Sequence, residues 1–121
     1  YTLSLHDALP IYFRAGLEDA ARGSGPNIEQ SERQLRLQLA QVLLKVDRDD
    51  AAKKQLDKLV ADSGLDDASK AWAYSALARI HARKGAADKA EKALETGLPL
   101  AKRAGDDDLV ETFKENLKKF E

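Results

Sequence analysis

Apolar residues recur along this chain at helical rather than strand spacing. Leu35, Leu39, Val42, Leu43 and Val46 predict a helix from about Ile28 to Val46, and Ala52, Leu56, Leu59 and Val60 predict a second from about Asp49 to Asp62, closed by Ser63-Gly64. Trp72, Ala73, Ala76, Leu77, Ile80 and His81 share one broad arc of a third, from about Asp67 to Lys84, which is apolar around most of its circumference and is therefore expected to be covered on both sides. Gly85 supplies the backbone freedom to stop it. A fourth helix restarts at Ala86 with Ala90, Ala93, Leu94 and Gly97 inward, and Pro99, which has no N–H for the Glu95 carbonyl, predicts a kink or break before LAKRA continues. The last helix opens with Asp106, Asp107 and Asp108 at the positive end of its dipole and finishes with Lys118 and Lys119 at the negative end.

The pattern repeats. Leu39, Ala40, Ala52 and Leu56 return as Leu77, Ala78, Ala90 and Leu94, each 38 positions later, and Asp50 and Lys54 return as Asp88 and Lys92 in the same register. A partial third copy follows, with Ala73, Leu77 and Ile80 returning as Phe113, Leu117 and Phe120 at an offset of 40. Helix pairs of this size cannot bury their own apolar faces and need neighbours in a stack. The order large, Leu, small, large, turn, Ala, large, small resembles the tetratricopeptide repeat. Tyr74, Leu77, Ala78, His81, Gly85, Ala90, Leu94 and Gly97 fall at that family's packing positions, and Leu39, Ala40, Leu43, Asp47, Ala52, Leu56 and Leu59 do so in the earlier copy. His81 stands where an aromatic or large aliphatic residue is usual, Asp47 replaces the turn glycine, and the period exceeds the family's by roughly four to six residues. The resemblance covers about residues 31 to 121 and implies an all-α fold: antiparallel helix-turn-helix repeats stacked as a short right-handed α-solenoid with a C-terminal capping helix. Repeats are placed at 31–65 and 66–105, with the capping helix at 106–121.

The chain before residue 31 is read differently. Residues 1–11, YTLSLHDALPI, match codon by codon the translation of a short-read sequencing adapter and are excluded from the fold. Residues 12–30 are read as the tail of a truncated repeat helix, YFRAGLEDAAR, followed by a connector in which Gly25 and Pro26 oppose helix and Asn27 caps what comes next. On this reading the chain is the C-terminal part of a longer array, and its exposed end faces favour self-association.

Composition narrows the function classes. Leaving out residues 1–11, which hold one acid, gives 20 acidic against 20 basic residues, so bulk charge does not point to nucleic acid. The absence of cysteine excludes disulfides and thiolate chemistry, and no apolar run reaches the roughly 18 residues of a membrane span. A cysteine-free chain fits cytoplasm and periplasm equally, so the compartment stays open, with the cytoplasm favoured. Outside residues 1–11 His81 is the single histidine, with no nucleophile or orienting carboxylate at motif spacing, and is read as a packing residue. The acidic pairs sit at helix starts and are read as caps, so no metal, cofactor or catalytic residue is expected.

What the family resemblance implies is a concave groove lined by the first helix of each repeat. Carried over position by position, it would show Gln34, Leu37, Gln41, Leu44 and Lys45 from one copy and Trp72, Ser75, Arg79, Ala82 and Arg83 from the next. Trp72, Arg79, Arg83, Ser75, Gln41 and Lys45 are the candidate partner-binding residues, Trp72 first among them because Trp beside Arg is the composition of binding hot spots. Lys45, Arg79 and Arg83 favour an acidic or carboxylate-bearing segment. The family's chaperone-tail clamp is not expected, because its positions hold Leu37, Gln41, Ser75 and Arg79. The leading expectation is a non-catalytic module that binds a protein or peptide. A peptide-sensing regulatory domain and the accessory tail of an enzyme are the alternatives.

Overall fold

A computed structural model of the chain describes residues 28–121. These residues are 83% helical with no strand among them, which makes the class all-α. Five helices follow in order: α1 (Ile28–Lys45), α2 (Asp49–Ala61), α3 (Asp67–Arg83), α4 (Ala87–Ala104) and α5 (Asp107–Lys118). Their bounds lie within a residue or so of those the apolar spacing predicts. The expected helix tail and connector before Ile28, and the Asn27 cap, lie outside the described residues. The chain divides into two compact units, one ending at Leu59 and the other running from Val60 to Glu121.

In the first unit α1 buries Leu39, Ala40 and Leu43, and α2 buries Ala52, Leu56 and Leu59. The spacings, i, i+1 and i+4 on α1 and i, i+4 and i+7 on α2, each make one helical stripe. Arg36 donates to the Gln55 side chain at 2.8 Å, tying the two helices across their partly buried flank. The turn between them needs a left-handed residue, and Asp47 supplies it at a φ of 59°. Asp is among the few side chains that tolerate this region.

The second hairpin repeats the first at the level of the backbone. Gly85 takes a φ of 75° at the position 38 residues after Asp47. The Arg48 N–H closes α1 on the Leu43 carbonyl at 2.8 Å, and the Ala86 N–H closes α3 on the His81 carbonyl at 2.8 Å, the same six-residue loop in both copies. Gly105 ends α4 in the same way, with the Asp106 N–H on the Ala101 carbonyl. Leu39 and Leu77, Ala40 and Ala78, Ala52 and Ala90, Leu56 and Leu94, and Leu59 and Gly97 are all buried pairs at the 38-residue offset.

Within the second unit α4 packs on α3 and on α5, and α3 touches α5. α3 buries Ala71, Ala73, Ala76, Leu77, Ala78 and Ile80, an arc wider than the stripe of any other helix, as its composition predicts. The three helices come close together at Gly97. A Cβ placed there would sit 2.6 Å from Cζ of Phe113 on α5 and 2.9 Å from Cβ of Tyr74 on α3. Phe113 is fully buried, and its full burial is worth about 1.5–3 kcal/mol. It is the one buried residue of α5.

Of the kink or break expected at Pro99, the break does not occur. α4 runs through it to Ala104 as a single helix. Gly97 and Ala101, on either side of the proline and on the same face, are both buried, while Pro99 itself points outward and is exposed. Burial of both halves against the same neighbours therefore outweighs the one backbone bond the proline removes. Arg103 near the end of α4 meets Asp67 at the start of α3 at 3.1 Å, which marks the pair as antiparallel but adds little stability because both side chains are substantially exposed.

Asp66 caps α3 by accepting the Ser69 N–H at 3.0 Å, and Asp106 caps α5 by accepting the Leu109 N–H at 3.1 Å. Partial burial pushes the Asp66 carboxyl up, but the hydrogen bonds it accepts from the Ser69 N–H, the Ser69 hydroxyl and its own N–H together hold it below the usual carboxylate value.

Two stability predictions follow from these contacts. Gly97→Ala gains about 1 kcal/mol of helix propensity, yet three contacts under 3.0 Å, two to the Phe113 ring and one to Tyr74 on a different helix, cost more than that. Urea unfolding should show a net loss of about 1–2 kcal/mol, larger for Gly97→Val. Asp66→Ala should cost about 1 kcal/mol at pH 7 as a lost cap. Because the folded pKa is lowered, that stabilisation is present above the unfolded value of about 3.9 and is lost as pH falls through the folded pKa. The gap between parent and variant should therefore close on acidification, while Asp66→Asn should keep the cap and lose the pH dependence.

Candidate functional site

A cleft of about 330 Å³ opens in the second unit between α3, α4 and the end of α5. Ser75, Ala78, Arg79 and Ala82 form one wall, and they occupy neighbouring positions on the α3 wheel. Thr112, Asn116, Lys119 and Phe120 form the facing wall, and Ala90 and Leu94 of α4 contribute the apolar floor. The run from Ser75 to Ala82 gives the trough a length of about 10 Å at the rise of an α-helix.

The small residues on α3 and α4 create the space. Ala78, Ala82 and Ala90 end at Cβ, so nothing fills the volume between Leu94 and the ring of Phe120. Phe120 lies just past the helix, in a turn held by its N–H on the Leu117 carbonyl at 3.0 Å. There its ring bounds the cleft from the end of α5. It is half-buried.

The polar chemistry of the lining is one-sided. Two cations, Arg79 and Lys119, stand on opposite walls, both exposed, and no acid lines the cleft. Among the described residues neither cation has an ion pair or a side-chain hydrogen bond. The Ser75 hydroxyl donates to the Trp72 carbonyl at 2.7 Å and the Thr112 hydroxyl to the Asp108 carbonyl at 3.0 Å. Both protons are thus committed to the helices, and both oxygens remain acceptors. The Asn116 amide adds one acceptor and two donors.

The candidate residues from the sequence separate into three groups. Ser75 and Arg79 line the cleft, and Ala82 joins them. Trp72 is half-buried and Arg83 exposed, and they follow Arg79 round the α3 wheel without lining the cleft. Gln41 and Lys45 are exposed one turn apart on α1, in the first unit. His81 is half-buried near the end of α3.

Lys119 and Asn116 are site residues that sequence reasoning left unused. The signal for Lys119 was present: the 40-residue offset that relates Leu77 to Leu117 also relates Arg79 to Lys119, so the two cations hold equivalent places in successive copies. No helix among the described residues is long and apolar enough to cross a membrane. Comparison of the chain with protein-family models, with curated proteins and with solved structures finds no match.

Proposed function

We propose that this chain is a non-catalytic protein-interaction module of the tetratricopeptide-repeat kind, and that it receives a peptide or partner segment in the cleft between α3 and α5. The observation that carries this reading is the cleft itself: an apolar floor of Ala90 and Leu94, with Ala78 beside it on the wall, between two cations that have no partner within the described structure. Concave sites with an apolar base and a few placed polar groups are the usual form of ligand sites. The repeat-like features that support the family reading are the two turns closed alike at Asp47 and Gly85 and the five buried pairs at a constant offset. The walls come from the first helix of one hairpin and from the helix that follows it, which is where that family presents its groove.

A cleft-blocking variant tests the proposal. Ala82 is exposed on the wall, so Ala82→Trp fills the trough with little effect on the core. A random-peptide display selection on the parent chain should enrich binders that the Ala82→Trp protein fails to retain, with its helical circular dichroism unchanged. Enrichment that is equal on both proteins, or none on either, would remove the cleft as the interaction site.

A further inference from the structure

The hydrogen-bonding pattern of the cleft narrows what can occupy it. We infer that the occupant is an extended peptide segment of about three residues in which an acidic side chain lies next to apolar ones, the carboxylate held between Arg79 and Lys119. This rests on the reading of the cleft as an interaction site and adds the chemistry of the partner.

Three features of the lining lead to it. The first is charge: the chain carries nearly balanced acids and bases, 21 against 20, yet the lining holds two bases and no acid. Arg79 and Lys119 approach from opposite walls, so a single carboxylate between them satisfies both, whereas an added cation would meet repulsion from two sides. The second is the apolar surface, where Ala90 and Leu94 of the floor, with Ala78 and the ring of Phe120 on the walls, receive an apolar side chain but offer no polar atom to bind one. A purely acidic segment would leave that surface wet.

The third feature separates a peptide from a small carboxylic acid. The Ser75 and Thr112 hydroxyls have given their protons to backbone carbonyls, so their oxygens present acceptors to the cleft, and Asn116 presents an acceptor and two donors. An ionised alkyl carboxylate has no donor to meet those acceptors. A peptide backbone carries one N–H and one carbonyl per residue and answers both kinds of group. A trough of about 10 Å accommodates about three extended residues. The cations are exposed, so each contact contributes modestly and falls with salt.

The test uses the full chain, isotopically labelled, titrated while backbone amide resonances are followed. The probe is an acetylated and amidated heptapeptide, Gly-Ser-Leu-Glu-Leu-Ser-Gly, whose one negative charge is the glutamate. Saturable shifts at Ala82, Asn116 and Lys119 are expected, with affinity reduced about fivefold when glutamine replaces glutamate or when 0.5 M salt is added. Arg79→Glu with Lys119→Glu should lose the glutamate peptide and gain the analogue carrying lysine at that place. Neither side chain is buried, so the double variant retains the fold. Sodium hexanoate, which shares the apolar chain and the carboxylate, should bind at least tenfold more weakly than the peptide.

Equal binding of the glutamate and glutamine peptides would overturn the charge assignment, and hexanoate binding as tightly as the peptide would overturn the assignment to a peptide. If the display selection enriches cleft-dependent sequences that lack acids, the interaction module stands and this chemistry falls. If it enriches none, the module reading fails first.

Discussion

The close approach at Gly97 is the contact on which the second unit depends. With no side chain there, α4 comes near enough to both neighbours that a single methyl group would collide with the Phe113 ring and with Cβ of Tyr74. Phe113 is the only residue of α5 that is buried, so α5 has one anchor, and that anchor is set into the space the glycine leaves. Asn116 and Lys119 follow Phe113 by one and two turns, and their distance across the cleft from Ser75 and Arg79 is therefore inherited from this packing. The glycine carries a conformational cost in a helix of about 1 kcal/mol, which burial of the ring offsets.

The same position in the first hairpin holds Leu59. One register thus carries a fully buried leucine in one copy and, in the other, a glycine that admits a neighbour's ring. The turns show the converse economy, one solution reached by different residues. Asp47 and Gly85 both place the backbone at positive φ and both are followed by an N–H that reaches five residues back. The hairpin geometry is set by the hydrogen-bonded loop, and any residue able to adopt the left-handed region serves it.

The candidate site gathers residues that are individually unremarkable in sequence. Alanines at 78, 82 and 90 read as small packing residues, and only their position beside a turn that carries Phe120 turns them into the sides of a cleft. Arg79 was identifiable because it falls at a groove position of the repeat pattern, beside Trp72 at the edge of the apolar arc. Lys119 read as a dipole partner at a helix end, and its pairing across the trough with Arg79 required the offset between copies to be applied to charged positions as well as apolar ones. Trp72 shows the limit of composition as a guide. A Trp next to Arg on a wheel is a plausible hot spot, yet whether its ring joins a given wall depends on where the neighbouring helices cross, which the wheel does not contain.

By itself the sequence determined the class, the five helix spans, the register of 38, the turns at Asp47 and Gly85 and the acidic caps. Each of these follows from interactions within a few residues or from a periodicity that one helix displays alone: apolar spacing, φ preference, side chains near free N–H groups. Tertiary structure decided the rest. It carried α4 unbroken through Pro99, because burial on both sides of the proline exceeded the loss of one bond. It placed the Phe120 ring at the edge of the cleft and brought Lys119 opposite Arg79. Those outcomes depend on how closely separate helices approach, and that distance is a sum over side chains remote from one another in the chain, with Gly97 contributing the term that no local rule supplies.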